Sequence, residues 1–192
     1  LETSARRVAQ YVYNGDYGSN KVKFGAYYGG SSKRDIKNVD LKNNRKNTWG
    51  TGLIFNHEID SIQNVTVAAG FTRQISENAN KTAYYSNAYA LGLAYNFVHT
   101  TYGLDLAHKD TKNKGGAGNK VKNNEVTAVI RQGLNEDWNV YAMYSYKTEK
   151  TLPVGSAYSK STDRQFLVGT EYYVFKQGSV KVKPFIEWQA TR

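Results

Sequence analysis

The stretch Val180-Lys-Val-Lys-Pro-Phe-Ile-Glu-Trp-Gln-Ala190 places Val180, Val182, Pro184, Ile186, Trp188 and Ala190 at even positions. Lys181, Lys183, Glu187 and Gln189 fall between them. Successive side chains of a strand point to opposite faces, so this pattern predicts a strand with one apolar and one polar face. It runs for about ten residues, the length a tilted strand needs to cross a bilayer. A half-buried strand of a soluble sandwich alternates in the same way, and the rest of the chain decides between the two.

Upstream the design repeats. Val22, Phe24, Ala26 and Tyr28 share one face, as do Trp49, Thr51, Leu53 and Phe55, then Val65, Val67, Ala69 and Phe71. Tyr89 to Phe97, Tyr102 to Leu106, Val126 to Ile130, Trp138 to Tyr146 and Phe166 to Val174 continue it at every second residue. With a weaker segment at Ala9 to Tyr13, about ten strands are expected and no helix. Polar turn segments separate them, and tight turns alternate strictly with long loops such as 29–46 and 110–124. Antiparallel pairing puts every tight turn at one end of the sheet and every long loop at the other. Outer-membrane barrels have that asymmetry, whereas Greek-key sandwiches mix loop lengths at both ends. The expectation is one all-β domain over 1–192, an antiparallel transmembrane β-barrel.

Composition agrees. The chain has 192 residues, net charge +10, 16 Tyr, three Trp and no Cys, which removes any disulfide or thiolate site. Its mean hydropathy of -0.66 does not argue against a membrane, because a barrel shows lipid only every second residue. No run of about 18 apolar residues is present, so no transmembrane helix is expected.

The two faces differ in bulk. One carries Val, Leu, Ile and Phe with Tyr or Trp toward the strand ends; the other carries Gly, Ala, Ser, Thr and charges. A packed interior needs bulky side chains, so the small-and-charged face is expected to line water and the apolar face to meet lipid. Fixed charges on a channel wall decide what passes. Alternation puts Lys21, Lys23, Lys109, Arg131, Lys147, Lys181 and Lys183 on that wall, facing Glu58, Asp105, Glu125, Glu171 and Glu187. The expected lining is mixed but net basic, favouring anionic or zwitterionic solutes, with Arg131 deepest in its strand. Basic residues in the loops, Lys33, Arg34, Lys37, Lys42, Arg45 and Lys46 in the first and Lys112, Lys114, Lys120 and Lys122 in the third, could attract anions or lipopolysaccharide phosphates; as simple solvated loops they would do neither.

Catalysis looks poorly served. His57 and His108 fall on the outward face and His99 in a turn, so no His is evidently paired with an inward carboxylate or Ser. No metal-ligand spacing or phosphate-cradling glycine motif is present, so neither metal nor cofactor is expected, and no enzyme activity. Nucleic acid is not expected as a partner either, since the aromatics lie with the aliphatics rather than among the basic residues.

The chain resembles the general-diffusion porins of Gram-negative outer membranes, particularly the major porins of the Haemophilus and Pasteurella group. The residues that carry the resemblance are Gly133-Leu-Asn-Glu-Asp-Trp-Asn-Val-Tyr-Ala-Met-Tyr-Ser-Tyr146, Phe166-Leu-Val-Gly-Thr-Glu-Tyr-Tyr-Val-Phe175 and Val182-Lys-Pro-Phe-Ile-Glu-Trp188. It implies a trimeric barrel of sixteen strands that passes small hydrophilic solutes and ions, with lipid and lipopolysaccharide around it. Two departures stand out: the sequence stops at Arg192 without the family's C-terminal aromatic, and an inward-folded constriction loop is missing. The resemblance therefore implies roughly the C-terminal two thirds of such a porin, lacking its early strands and its last strand, with Arg131 on the basic side of the eyelet. Two other readings stay open: a complete ten-stranded barrel acting as an adhesin or surface protease, and a soluble basic β-sandwich that binds anionic polymers.

Overall fold

The structure, a computed structural model, describes residues 8–30, 44–77, 83–113, 120–153, 157–177 and 180–192. Ten strands form one antiparallel sheet in the order β1-β2-β3-β4-β5-β6-β7-β8-β9-β12. They are β1 (Val8–Tyr17), β2 (Asn20–Gly29), β3 (Asn44–Asp60), β4 (Gln63–Glu77), β5 (Ala83–Phe97), β6 (Thr100–Asn113), β7 (Lys120–Gly133), β8 (Trp138–Leu152), β9 (Ser159–Tyr172) and β12 (Phe185–Thr191). Each strand pairs with its sequence neighbour, an up-and-down meander. Among the described residues β1 pairs with β2 and β12 with β9, so β1 and β12 are the edges of the sheet.

Tight connections at 18–19, 61–62, 98–99 and 134–137 all lie at one end. Backbone bonds join neighbouring turns there: the Glu58 N–H donates to Ser19 O at 2.8 Å, Val98 N–H to Ile62 O at 2.8 Å and Tyr173 N–H to Asp137 O at 2.9 Å. The other end holds the longer connections, and the basic residues expected at Lys33, Arg34, Lys37, Lys42 and Lys114 lie outside the described residues.

Register fixes which side chains share a face. Leu93 is level with Val67 and Leu104, while Ala94 is level with Thr66 and Gly103. The apolar face carries no core: among the described residues no hydrophobic side chain is buried. Phe24, Leu91, Val182 and Ile186 are 37%, 38%, 49% and 77% exposed. On this face Trp49, Phe71 and Tyr89 stand side by side across β3, β4 and β5, with ring centroids 5.0 Å apart at each step. Tyr95 and Tyr102 pair at 6.3 Å nearer the tight turns, and Leu91 and Leu93 lie between the two aromatic levels. Such an apolar band with aromatic margins is the outer surface of a membrane barrel.

The opposite face is built from small residues, and its larger side chains lie flat over glycines. A Cβ on Gly50 would meet the Tyr27 ring at 2.7 Å, and one on Gly169 the Tyr141 ring at 2.6 Å. One on Gly92 would meet Asp105 Oδ1 at 2.8 Å. Glycine here makes room for a neighbour to recline along the wall instead of projecting from it. The face is not uniformly polar: Ile54 and Phe185 lie on it, 45% and 63% exposed.

Three expectations change. The stretch 180–190 is not one strand: β11 (Val180–Val182) pairs with β10 (Phe175–Gln177) in a separate two-stranded sheet, and β12 begins only at Phe185. Pro184 has no N–H to contribute to the ladder, which breaks the strand there. The strands are also longer than expected, 14 to 17 residues from β3 to β9. The 110–124 loop shrinks accordingly, because β6 runs to Asn113 and β7 starts at Lys120.

Candidate functional site

Strand alternation brings the expected wall charges to the small-residue face, and their hydrogen bonds sort them into pairs. Near the tight turns, the Arg131 guanidinium on β7 binds Glu171 Oε1 on β9, two strands away. Lys183 Nζ holds the other oxygen of the same carboxylate at 2.5 Å. Glu171 is thereby enclosed, 13% exposed against 46% for Arg131. The Tyr141 hydroxyl, level with Arg131 in the ladder, donates to Glu187 Oε1 at 2.6 Å. At the same end Lys21 Nζ lies 2.8 Å from Glu58 Oε1. Asn56 Nδ2 donates to Thr66 Oγ1 at 2.8 Å, and Thr101 Oγ1 to Asn96 Oδ1 at 2.6 Å.

Toward the loop end, Lys147 Nζ lies 3.3 Å from Glu125 Oε1, and Thr127 Oγ1 donates to Ser145 Oγ at 3.0 Å. Asp105 reclines over Gly92 in the middle of the face. Lys23 and Lys109 have no hydrogen bond or ion pair among the described residues. Lys181 drops out of the wall: it sits in the β10–β11 hairpin opposite Lys176.

Alternation over the full strand lengths adds carboxylates that sequence reading missed. Asp16 is level with Lys21, Asp163 with Lys147, and Glu149 with Asn123. With Lys181 gone and three acids added, the expected basic excess on the described part of this face disappears. The expectation of a net basic lining is corrected to a face of mixed charge on which, among the described residues, carboxylates are at least as numerous as cations and about half of the charged groups are ion-paired.

Two recesses open on this face. One of about 570 Å³ runs from Lys23 to Asp105 over Gly25, Gly52, Ala68 and Gly92. The other, about 550 Å³, lies across β4 to β9 and includes Lys109, Glu125, Lys147, Glu149 and Asp163.

His57 and His108 stand on the apolar face and His99 in a tight turn, as expected, but His108 has a partner that sequence reading missed. His108 Nε2 lies 3.1 Å from Asp110 Oδ2, and its Nδ1 is 2.7 Å from Asn124 Oδ1. This cluster stands on the apolar face just beyond the aromatic row, with Tyr89 6.1 Å away. The i, i+2 spacing of His108 and Asp110 in a strand was the available signal. His57 Nδ1 meets Asn20 Oδ1 at 2.9 Å.

An up-and-down antiparallel sheet with an exposed apolar band, aromatic margins and a small-and-charged reverse face defines a transmembrane β-barrel protein of the bacterial outer membrane. Comparison with solved structures agrees on the fold: the chain is similar to OmpTdeltaL8, a loop L8 deletion mutant of OmpT, an outer membrane protein of Vibrio cholerae, with TM-score 0.58 and 14% identity. The likeness covers 96% of this chain and 57% of that one. No family model and no curated protein matches the sequence. The expectation of no enzyme activity is corrected here. It rested on the absence of a histidine paired with an inward carboxylate and of metal or phosphate motifs; His108 does pair with a carboxylate, Asp110, on the apolar face, and the fold is similar to that of OmpT. The exclusion of catalysis is withdrawn.

Proposed function

We propose that the chain forms the wall of a passive, water-filled channel of the general-diffusion porin type, passing small hydrophilic solutes and ions across the outer membrane. The observation that carries this reading is the strip Gly25, Gly52, Ala68, Gly70, Ala90 and Gly92 across β2 to β5 on the face away from lipid. Side chains this small leave no means of filling a barrel interior to protein density. The reclining of Tyr27, Tyr141 and Asp105 over glycines keeps the same face low. The resemblance to the Haemophilus and Pasteurella porins adds assembly as a homotrimer. On the outer face, Arg73 stands over the Tyr85 ring at 4.8 Å and Arg164 over Tyr146 at 5.9 Å. Both lie beyond the aromatic row, where guanidinium groups reach lipopolysaccharide phosphates.

The test is planar-bilayer recording of the detergent-extracted protein. Stepwise insertion of ohmic channels is the expected result, with an anion-to-cation permeability ratio near or below one because carboxylates are at least as numerous as cations on the described face. Incorporation without conductance would overturn the reading. A strongly anion-selective current would instead restore the basic lining.

A further inference from the structure

The recess across β4 to β9 has a floor of Gly70, Ala88, Ala90 and Ala107, flat enough for a solute to approach the backbone. Its charged side chains are unevenly satisfied. Lys147 and Glu125 neutralise each other at 3.3 Å. Lys109 and Asp163 make no hydrogen bond or ion pair among the described residues. Glu149 has only Asn123, whose amide nitrogen, turned toward it, comes to 3.0 Å.

The ladder sets their spacing. Lys109, Asn123 and Glu149 are level on β6, β7 and β8, so Lys109 and Glu149 stand two strand spacings apart, about 10 Å between backbones. Asp163, level with Lys147 on β9, lies diagonally beside Glu149. An ammonium thus stands on one side of the floor and two carboxylates on the other, with Asn123 between Lys109 and Glu149 and the internally paired Glu125 and Lys147 one level away, beside Asp163.

We propose that this recess is a binding site for small zwitterionic solutes of the amino-acid or dipeptide class. The solute carboxylate meets Lys109 and its ammonium meets Glu149 and Asp163. A purely anionic solute would be repelled at the carboxylate side and a purely cationic one at Lys109, so opposite charges on one molecule are what the recess selects. The inference rests on the channel reading, since it requires this face to be wet and open to passing solutes. The site is shallow and solvated, so it acts by raising local solute concentration along the path, not by tight capture.

Swelling of proteoliposomes containing the full protein, in isosmotic glycylglycine and, separately, arabinose, tests it. Glycylglycine is expected to enter about threefold faster than the sugar of similar size, the scale of effect an exposed ion pair supplies. In Lys109→Gln, and in the double variant Glu149→Gln with Asp163→Asn, the glycylglycine-to-arabinose ratio is expected to fall toward one. A ratio near one for the unaltered protein, or a high ratio that persists in both variants, overturns the binding site while arabinose entry upholds the channel. No swelling with either solute overturns both.

Discussion

Leu93→Arg is expected to cost about 2–4 kcal/mol of folding free energy in a bilayer, the penalty of a guanidinium on the lipid face near the middle of the hydrocarbon. Leu93 is 41% exposed, lies between the ring levels of Tyr89 and Tyr95, and has Val67 and Leu104 beside it in the ladder. Its neighbour Ala94 points the other way, level with Thr66 and Gly103. Ala94→Arg adds the same group to the watered face, where it remains solvated, and is expected to change stability by no more than about 1 kcal/mol. Urea titration of both variants in lipid vesicles, followed by heat-dependent gel mobility, gives the comparison. Equal costs at the two positions would mean that the faces do not differ in environment.

Arg131→Glu is expected to lower the anion-to-cation permeability ratio on the order of tenfold at low salt, since two unit charges change within a confined aqueous path. The geometry explains why so large an effect follows from one residue. Arg131 and Lys183 share the Glu171 carboxylate, and Glu187 is held nearby by Tyr141. A third carboxylate placed there leaves Lys183 as the cluster's one cation against three carboxylates. Glu171→Gln should move the ratio the other way by releasing both cations from their shared partner. The recordings belong near 0.1 M salt, because at 1 M the screening length falls to about 3 Å and the wall charges act only on ions touching them. An unchanged ratio in Arg131→Glu would remove this cluster from the permeation path.

Much of the architecture was legible because a strand writes its two environments at a period of two, and each strand here carries that record through the apolar band. Val22 to Tyr28 and Tyr89 to Phe97 show it most plainly. The signal fails where the environment stops differing between faces. Beyond the band, at Asn123 to Lys120 or Lys147 to Leu152, both faces meet water, so hydrophobicity no longer alternates although the ladder continues. Glu149 and Asp163 were missed for that reason, and with them the balance of charge on the wall. The last strand failed differently: Val180 to Ala190 keeps its alternation, Phe185 apart, across a break, because hydrophobic periodicity is blind to the missing N–H of Pro184. The Arg131–Glu171–Lys183 cluster joins residues 40 and 12 positions from Glu171, and only register brings them together.

The three tryptophans report on the outer surface directly. Trp49, Trp138 and Trp188 all stand on the apolar face, 40%, 43% and 59% exposed. Fluorescence of the reconstituted protein should be strongly quenched by phospholipids brominated on their acyl chains and little affected by iodide in the buffer. Indifference to brominated lipid together with efficient quenching by iodide would place this face in water and contradict the inverted polarity of the barrel.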